Sequence, residues 1–363
     1  MPVSSKEIEF PIHTSTACQL KWSHSTLFLN IGRTASCHRV SQDNIPNDFD
    51  FHNTPEKLEA RKMMLEGKRP GRGCEHCFNI EDAGGMSDRM MHLKHPDILA
   101  PPELASDPLA VRVTPRILEL YLSNFCNLKC VYCHPFFSSS IEAENGKHGK
   151  FVDGNVKIPG KTVYSKIGNP LKDKMFAWLD DNIEHLHQLL LLGGEPMIQP
   201  ETLEMIGLLE KKTLPDLTLV VFSNLTVKSD RFASMMQRLK ALKDAQRLEG
   251  IRIIGSIDCW GREAEYVRNG LDLDLFRSNI EYILDETDFG LNINSAITPM
   301  SITSMGDLAA MINTWNQKRR VYWTFMKVNE RHLNPLMLGP TANDLGLQRA
   351  YDILDPMDDP DLI

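Results

Sequence analysis

Short apolar runs alternate with amphipathic stretches of helical period from Ile117 to Met326. The runs are Ile117-Leu118-Glu119-Leu120-Tyr121-Leu122, Leu189–Leu192, Leu217–Phe222, Ile251–Asp258, Leu291–Ile297 and Val321–Met326. Between them, apolar residues recur every three to four positions, as helices require, near 171–185, 201–212, 229–243, 273–285 and 304–316. In the first of these, Met175, Phe176, Trp178, Leu179 and Ile183 share one side. Strands alternating with helices predict βα units and a parallel sheet. Six strands are too few for a closed eight-stranded barrel, so the expected fold is α/β, a partial (β/α)6 TIM-like barrel. In such folds the chemistry gathers at the C-terminal ends of the strands.

The chain before this alternation has a different character. Thr54-Pro55 pairs an N-cap with a proline at the first helical position, and Gly67 follows the last turn. The glycine- and proline-rich stretch Gly67–Gly73 then delivers Cys74-Glu75-His76-Cys77. A proline-punctuated linker, Pro96 to Pro115, sets the expected boundary. The organisation predicted is a cysteine-bearing N-terminal module over 1–110, the barrel over 111–335 and a tail over 336–363. Ser138 to Asn169 reads as a loop-like insert, and Asp355, Asp358, Asp359 and Asp361 make the tail end acidic and solvated.

Charge and hydropathy narrow the function classes. A net charge of −8 leaves no basic footprint, so bulk binding to nucleic acid is disfavoured. The first residues lack the basic start and apolar core of a signal peptide, and no apolar run is long enough to span a membrane. The expected location is the cytoplasm, where thiols stay reduced and clustered cysteines point to metal rather than disulfides.

The eight cysteines divide into four before residue 80, three together, and one alone. Cys126, Cys130 and Cys133 follow the first strand in a C-x3-C-x2-C loop. Three thiols so spaced can hold three corners of an iron–sulfur cube and leave the fourth iron open to a small molecule. A zinc site is the alternative, with His134 as a fourth ligand. Upstream, Cys18, Cys37, Cys74 and Cys77 can complete a fully ligated cluster, or a structural zinc site; only the C-x2-C pair is a strong signal by spacing. Cys259 stands alone at a strand end. It is a candidate hydrogen-atom donor facing the active-site mouth, or a small core residue.

The C-x3-C-x2-C loop after a first strand, with Tyr132 just before the third cysteine, resembles the radical S-adenosylmethionine (SAM) superfamily. Gly193-Gly194-Glu195-Pro196 at the end of the second strand is similar to that family's motif for the SAM amino group. Glycines there admit the ligand to the backbone, and a carboxylate suits an ammonium. Ser223-Asn224 and Ser256-x-Asp258 match family positions near the SAM ribose and carboxylate, and Tyr132 the position against adenine. Arg268-x-Gly270, Phe276 and Asn279 follow the fourth strand as they often do in the family, and Asn292 and Asn294 are candidate pocket residues. The resemblance covers roughly 117–328. It implies a [4Fe-4S] cluster that binds SAM and cleaves it reductively to a 5′-deoxyadenosyl radical, which abstracts hydrogen from an unactivated carbon. The helix-Gly-x-Cys-x2-Cys pattern upstream looks like the SPASM/twitch modules that carry an auxiliary [4Fe-4S] cluster, although those usually follow the barrel rather than precede it.

The function so implied is modification of a peptide, a ribosomally made precursor, by crosslinking, epimerisation or splicease-type excision. Expected partners are the peptide, a separate leader-peptide-binding protein, and a reductase, ferredoxin or flavodoxin as electron donor. Two alternatives remain: radical chemistry on a small molecule or nucleotide, and a metal-sensing or electron-transfer protein without turnover.

Overall fold

The computed structural model describes residues 10–93, 95, 98–149, 169–328, 333–335 and 339–354. The later part of the insert, 150–168, and the acidic residues Asp355, Asp358, Asp359 and Asp361 lie outside the described residues. In chain order, helix α1 (Leu20–Ser23) leads into strands β1 (His24–Phe28), β2 (Arg33–Ala35) and β3 (Asp43–Asn44). Helices α2 (Pro55–Leu65), α3 (Glu75–Asp82), α4 (Asp88–His92) and α5 (Glu103–Ser106) follow, then β4 (Ile117–Tyr121), β5 (Lys129–Cys130) and α6 (Ser139–His148). The alternation continues with α7 (Pro170–Asn182), β6 (Gln188–Leu192), α8 (Pro200–Leu209), β7 (Leu214–Ser223), α9 (Ser229–Asp244) and β8 (Leu248–Ser256). It ends with α10 (Arg262–Val267), β9 (Arg268–Asn269), α11 (Leu273–Glu286), β10 (Gly290–Ile297), α12 (Met305–Asn316), β11 (Val321–Lys327) and α13 (Pro340–Leu354).

The α/β expectation holds: the six apolar runs are strands β4, β6, β7, β8, β10 and β11, and all five expected helices are present. The chain forms two compact units. One comprises 1–122, 163–191 and 214–218, and the other 123–162, 192–213 and 219–363.

In the first unit the strand order is β6-β4-β1-β2-β3. β1 runs parallel to β4 from His24 opposite Ile117 to Phe28 opposite Tyr121, while β2 and β3 are antiparallel additions. This pairing is why the unit extends past the proline linker that the sequence marks as a boundary. Glu119, on β4, finds its partners on β1: Thr26 Oγ1 donates to Oε2 at 2.7 Å and His24 Nε2 lies 3.3 Å from Oε1. Helix α2 begins as expected, with Pro55 at its first position and the Thr54 hydroxyl accepting from Lys57 N. Trp22, Met64, Phe78, Leu104 and Cys74 pack together as this unit's small apolar core.

In the second unit the order is β11-β10-β8-β7, with β8, β10 and β11 parallel. Alternation sorts the two faces. Ile251, Ile253, Leu291, Ile293, Val321 and Trp323 are buried, whereas Ser256, Asn292, Asn294 and Thr324 are half-exposed or exposed. The apolar stripe of α11, built from Phe276, Ile280 and Ile283, is buried, as are Leu308, Ile312 and Trp315 of α12. The insert departs from its loop-like reading by forming α6, because Ser138 caps it: the Oγ accepts from Ile141 N at 3.2 Å. The tail likewise contains a helix, α13, whose Arg349 pairs with Asp307 of α12.

Candidate active site

Cys126, Cys130 and Cys133 share an eight-residue loop within the second unit, with Cys130 buried and the other two half-buried. Three serines after the loop lace it to α6. Ser138 Oγ donates to Leu128 O at 2.8 Å, Ser139 Oγ accepts from Cys126 N at 3.2 Å, and Ser140 Oγ donates to Cys126 O at 2.7 Å. On the other side, β5 and β9 form a two-stranded antiparallel ribbon that sets Cys130 opposite Arg268. Gly270 belongs to this contact: its φ is +97°, and a Cβ there would sit 3.2 Å from the Leu128 side chain.

The Gly193-Gly194-Glu195 turn reaches the same loop. Glu195 N donates to Phe125 O at 2.8 Å. Gln199 Nε2 donates to Gly193 O at 2.8 Å and to Phe125 O at 3.3 Å. Gly194 has φ +59°, and a Cβ there would fall 2.3 Å from Phe125 O. The Glu195 carboxylate is buried and accepts from Ser223 Oγ at 2.7 Å, Asn224 N at 2.6 Å and Met197 N at 3.1 Å. It therefore ties the turn to the end of β7. Burial pushes this carboxyl up to about 7 against the pull of those donors.

The end of β7 is itself tightly determined. Leu225 has φ +52°, costly for a residue with a side chain. Asn279 holds it by donating Nδ2 to Leu225 O and Val227 O, both at 2.9 Å. Asn224 Nδ2 in turn donates to Asn127 Oδ1 at 2.9 Å, bringing Ser223-Asn224 against the cysteine loop.

Asp258 has no solvent exposure and gathers four donors. Arg268 donates twice, Nε at 2.9 Å and Nη2 at 2.8 Å; Tyr132 OH donates at 2.7 Å and Ala296 N at 2.8 Å. Burial, reinforced by the neighbouring Asp258 carboxylate, holds the Tyr132 phenol far above its ordinary value. Burial alone would lower Arg268, but Asp258 and its neighbours hold it well above the ordinary range, so its charge is permanent. The Arg268 charge also opposes the effect of burial on the Cys130 thiol. In the sequence Arg268 stands in a pattern that assigns it no task, and Ser138, Ser139, Ser140 and Gln199 belong to no motif. The run of serines immediately after Cys133 was the available signal for the first three.

Thiol donors suit iron–sulfur chemistry, and ligation requires them as thiolates. Burial raises Cys126 and Cys133 to about 12, and raises Cys130 as well, so the free groups are neutral thiols that release protons on ligation. The donor set, the two glycines at the loop and a permanent cation beside Cys130 fit a cluster carrying a ligand. Among the described residues, no three His, Cys, Asp or Glu side chains are arranged around one point as ligands of a single metal ion.

In the first unit, burial raises Cys18 and Cys74; the proximity of Cys37 and Cys74 adds to the rise at Cys18, and that of Cys37 to the rise at Cys74. Cys77 follows one turn after Cys74 on α3. The segments bearing Cys37 and Cys74 touch: Ser41 N donates to Arg72 O at 2.8 Å, and a Cβ on Gly73 would sit 2.3 Å from Arg39 O. Glu81 receives Ser87 and Arg89, and Arg89 Nη1 donates to Ala17 O at 2.7 Å, so α3 and α4 are tied to the chain beside Cys18.

Cys259 follows the end of β8. It is completely buried, with Asp258, Glu263 and Asp307 as its charged neighbours, and occupies a core position behind the strand end.

Three outcomes follow from this geometry. Gly194→Ala meets both a positive φ and a backbone oxygen, and should lower unfolding free energy by about 2 kcal/mol or more, read by denaturant titration. Arg268→Met leaves the Asp258 charge buried without its counter-ion and should cost about 3–5 kcal/mol, with an Asp258→Asn/Arg268→Met double variant recovering part of that loss. Glu195 gives a pH signature. A carboxyl whose folded pKa is above its unfolded value of 4.5 stabilises the fold fully below 4.5, and that contribution disappears as pH rises through about 7. Wild type should therefore lose roughly 2–3 kcal/mol relative to Glu195→Gln from about pH 5 to about pH 8. A difference that does not vary with pH would mean Glu195 is ionised throughout.

No protein-family model matches the chain, and no curated protein does. Several solved structures are similar to it at low identity. Streptococcus suis SuiB bound to precursor peptide SuiA has 17% identity and a TM-score of 0.43 over 83% of this chain and 59% of that one. Native anSMEcpe with bound AdoMet and a peptide has 17% identity and a TM-score of 0.39 over 65% of this chain and 59% of that one. TYW1 with a lysine-pyruvate adduct has 14% identity and a TM-score of 0.35 over 64% of this chain and 70% of that one. The chain thus spans 59% of the length of each of the first two.

Proposed function

We propose that this chain is a radical SAM enzyme acting on a peptide. The observation that carries the reading is that a C-x3-C-x2-C loop, a Gly-Gly-Glu turn and a Ser-x-Asp strand end are laced together by direct hydrogen bonds within one compact unit. Cys126, Cys130 and Cys133 would hold the SAM cluster. When bound, that cluster supplies the electron for reductive SAM cleavage and hence a hydrogen-abstracting 5′-deoxyadenosyl radical. The residues of the chain then have separable tasks. Gly193 and Gly194 let the backbone approach the ligand. Glu195 keeps that turn fixed against Ser223 and Asn224. Asp258 and Arg268 hold Tyr132 and the Cys130 strand in register. Ser256, Asn292 and Asn294, on the half-exposed sheet face, offer uncharged donors and acceptors to a polar substrate.

Cys18, Cys37, Cys74 and Cys77 would hold an auxiliary [4Fe-4S] cluster, supported by the proximity of the first three and the lacing of their segments. The twitch-like pattern around Cys74 and Cys77 is the support for a peptide, a ribosomally made precursor, as the substrate. A leader-peptide-binding protein and a flavodoxin- or ferredoxin-type electron donor would act with it.

Anaerobic reconstitution with iron and sulfide, followed by SAM and dithionite, tests the reading. Wild type should contain about eight irons per chain and form 5′-deoxyadenosine. Cys126→Ala, Cys130→Ala and Cys133→Ala should each abolish that product. Its absence from wild type would exclude the radical enzyme, and failure to bind any short peptide encoded beside the gene would count against the substrate class.

A further inference from the structure

A buried lysine sits beside the upstream cysteines. Lys21 lies in α1, and its amide donates to the Cys18 carbonyl at 2.9 Å. Its side chain is only 6% exposed, and Nζ donates at 2.8 Å to Ser36 Oγ, the hydroxyl adjoining Cys37 in sequence. Its charge opposes the effect of burial on the Cys18 and Cys74 thiols, which places it near both. Lys21 is therefore tied to Cys18 and to the neighbour of Cys37, with Cys74 within reach of its charge.

No carboxylate pairs with Lys21 among the described residues, and a buried cation without an anion carries a heavy desolvation cost. The other two buried cations nearby are differently committed. Lys57 Nζ donates to Ser25 Oγ, Thr34 Oγ1 and Phe51 O. Arg61 donates to the carbonyls of Lys21, Val111 and His52. Lys21 is the one of the three that reaches the thiols. A cavity of about 440 Å³ adjoins it, bounded also by Ser36, Val40, Gly71 and Arg72, so a neutral side chain of similar length can be accommodated there.

We infer that Lys21 is the built-in counter-charge of a cluster on Cys18, Cys37, Cys74 and Cys77, and that it favours the reduced, more negative state of that cluster. The inference rests on the auxiliary-cluster reading. The electron comes from an external reductant, and Lys21 exchanges no proton or bond; it changes only how favourable the added negative charge is.

The test uses the full chain with Cys126, Cys130 and Cys133 all changed to Ala, so that iron and spectra report the upstream site alone. Potentiometric titration with dithionite, followed by electron paramagnetic resonance, is run on this protein and on Lys21→Met, Lys21→Gln and Lys21→Arg versions. The Met and Gln versions should show a lower potential, with the reduced-to-oxidised ratio at a fixed potential falling about tenfold, or about 59 mV for one electron. The Arg version should stay near the parent. Loss of iron from Met and Gln but not from Arg would support the same role. An unchanged potential in both neutral versions, with iron retained, overturns the inference and leaves the auxiliary cluster standing. A parent protein without iron overturns the auxiliary-cluster reading itself.

Discussion

A carboxylate cut off from water must be surrounded by donors, and Asp258 imposes that condition on everything near the cysteine loop. Its four donors come from three separate segments: Tyr132 from the loop, Arg268 from the β5–β9 ribbon, and Ala296 from β10. None of these can move far without leaving the charge under-satisfied, so register and loop position follow from one electrostatic requirement. The pairing of Cys130 with Arg268 is one consequence.

Glu195 plays the corresponding part at the start of the loop. Its backbone holds Phe125, the residue before Cys126, and its carboxylate holds the end of β7. The eight residues that carry the three thiols are thus clamped at one end through Glu195 and at the other through Asp258. Each clamp places a carboxyl near a thiol that burial already raises, Glu195 adding to the rise at Cys126 and Asp258 to that at Cys130. Arg268 offsets this, because the same guanidinium neutralises Asp258 and faces Cys130.

Periodicity located the six βα strands because burial of one face leaves a pattern in the residues themselves. It missed β1, whose residues His24-Ser25-Thr26 look polar and yet are buried; their hydroxyls and imidazole are satisfied by Glu119, His52 and Ser36, partners distant in sequence. The same limit explains the site. The cysteine spacing, the paired glycines and Ser256-x-Asp258 could be read because they are local. Arg268 gained its role only through the ribbon to Cys130, and Gln199 only through the fold of its turn. Cys259 shows the same limit: its complete burial could not be read from its place beside Asp258.

The first unit presents the opposite electrostatic problem. It buries Lys21, Lys57 and Arg61 in a small apolar core, and burial lowers Arg61 to about 9 and Lys57 well below its ordinary value. Hydrogen bonds to hydroxyls and carbonyls satisfy the donors of Lys57 and Arg61 but supply no full negative charge. A unit of this size gains little from hydrophobic burial to offset such a cost. Four thiols that become anionic on binding iron would provide the missing charge where Lys21 already reaches, so cluster binding would stabilise the fold of this unit as well as equip it for electron transfer.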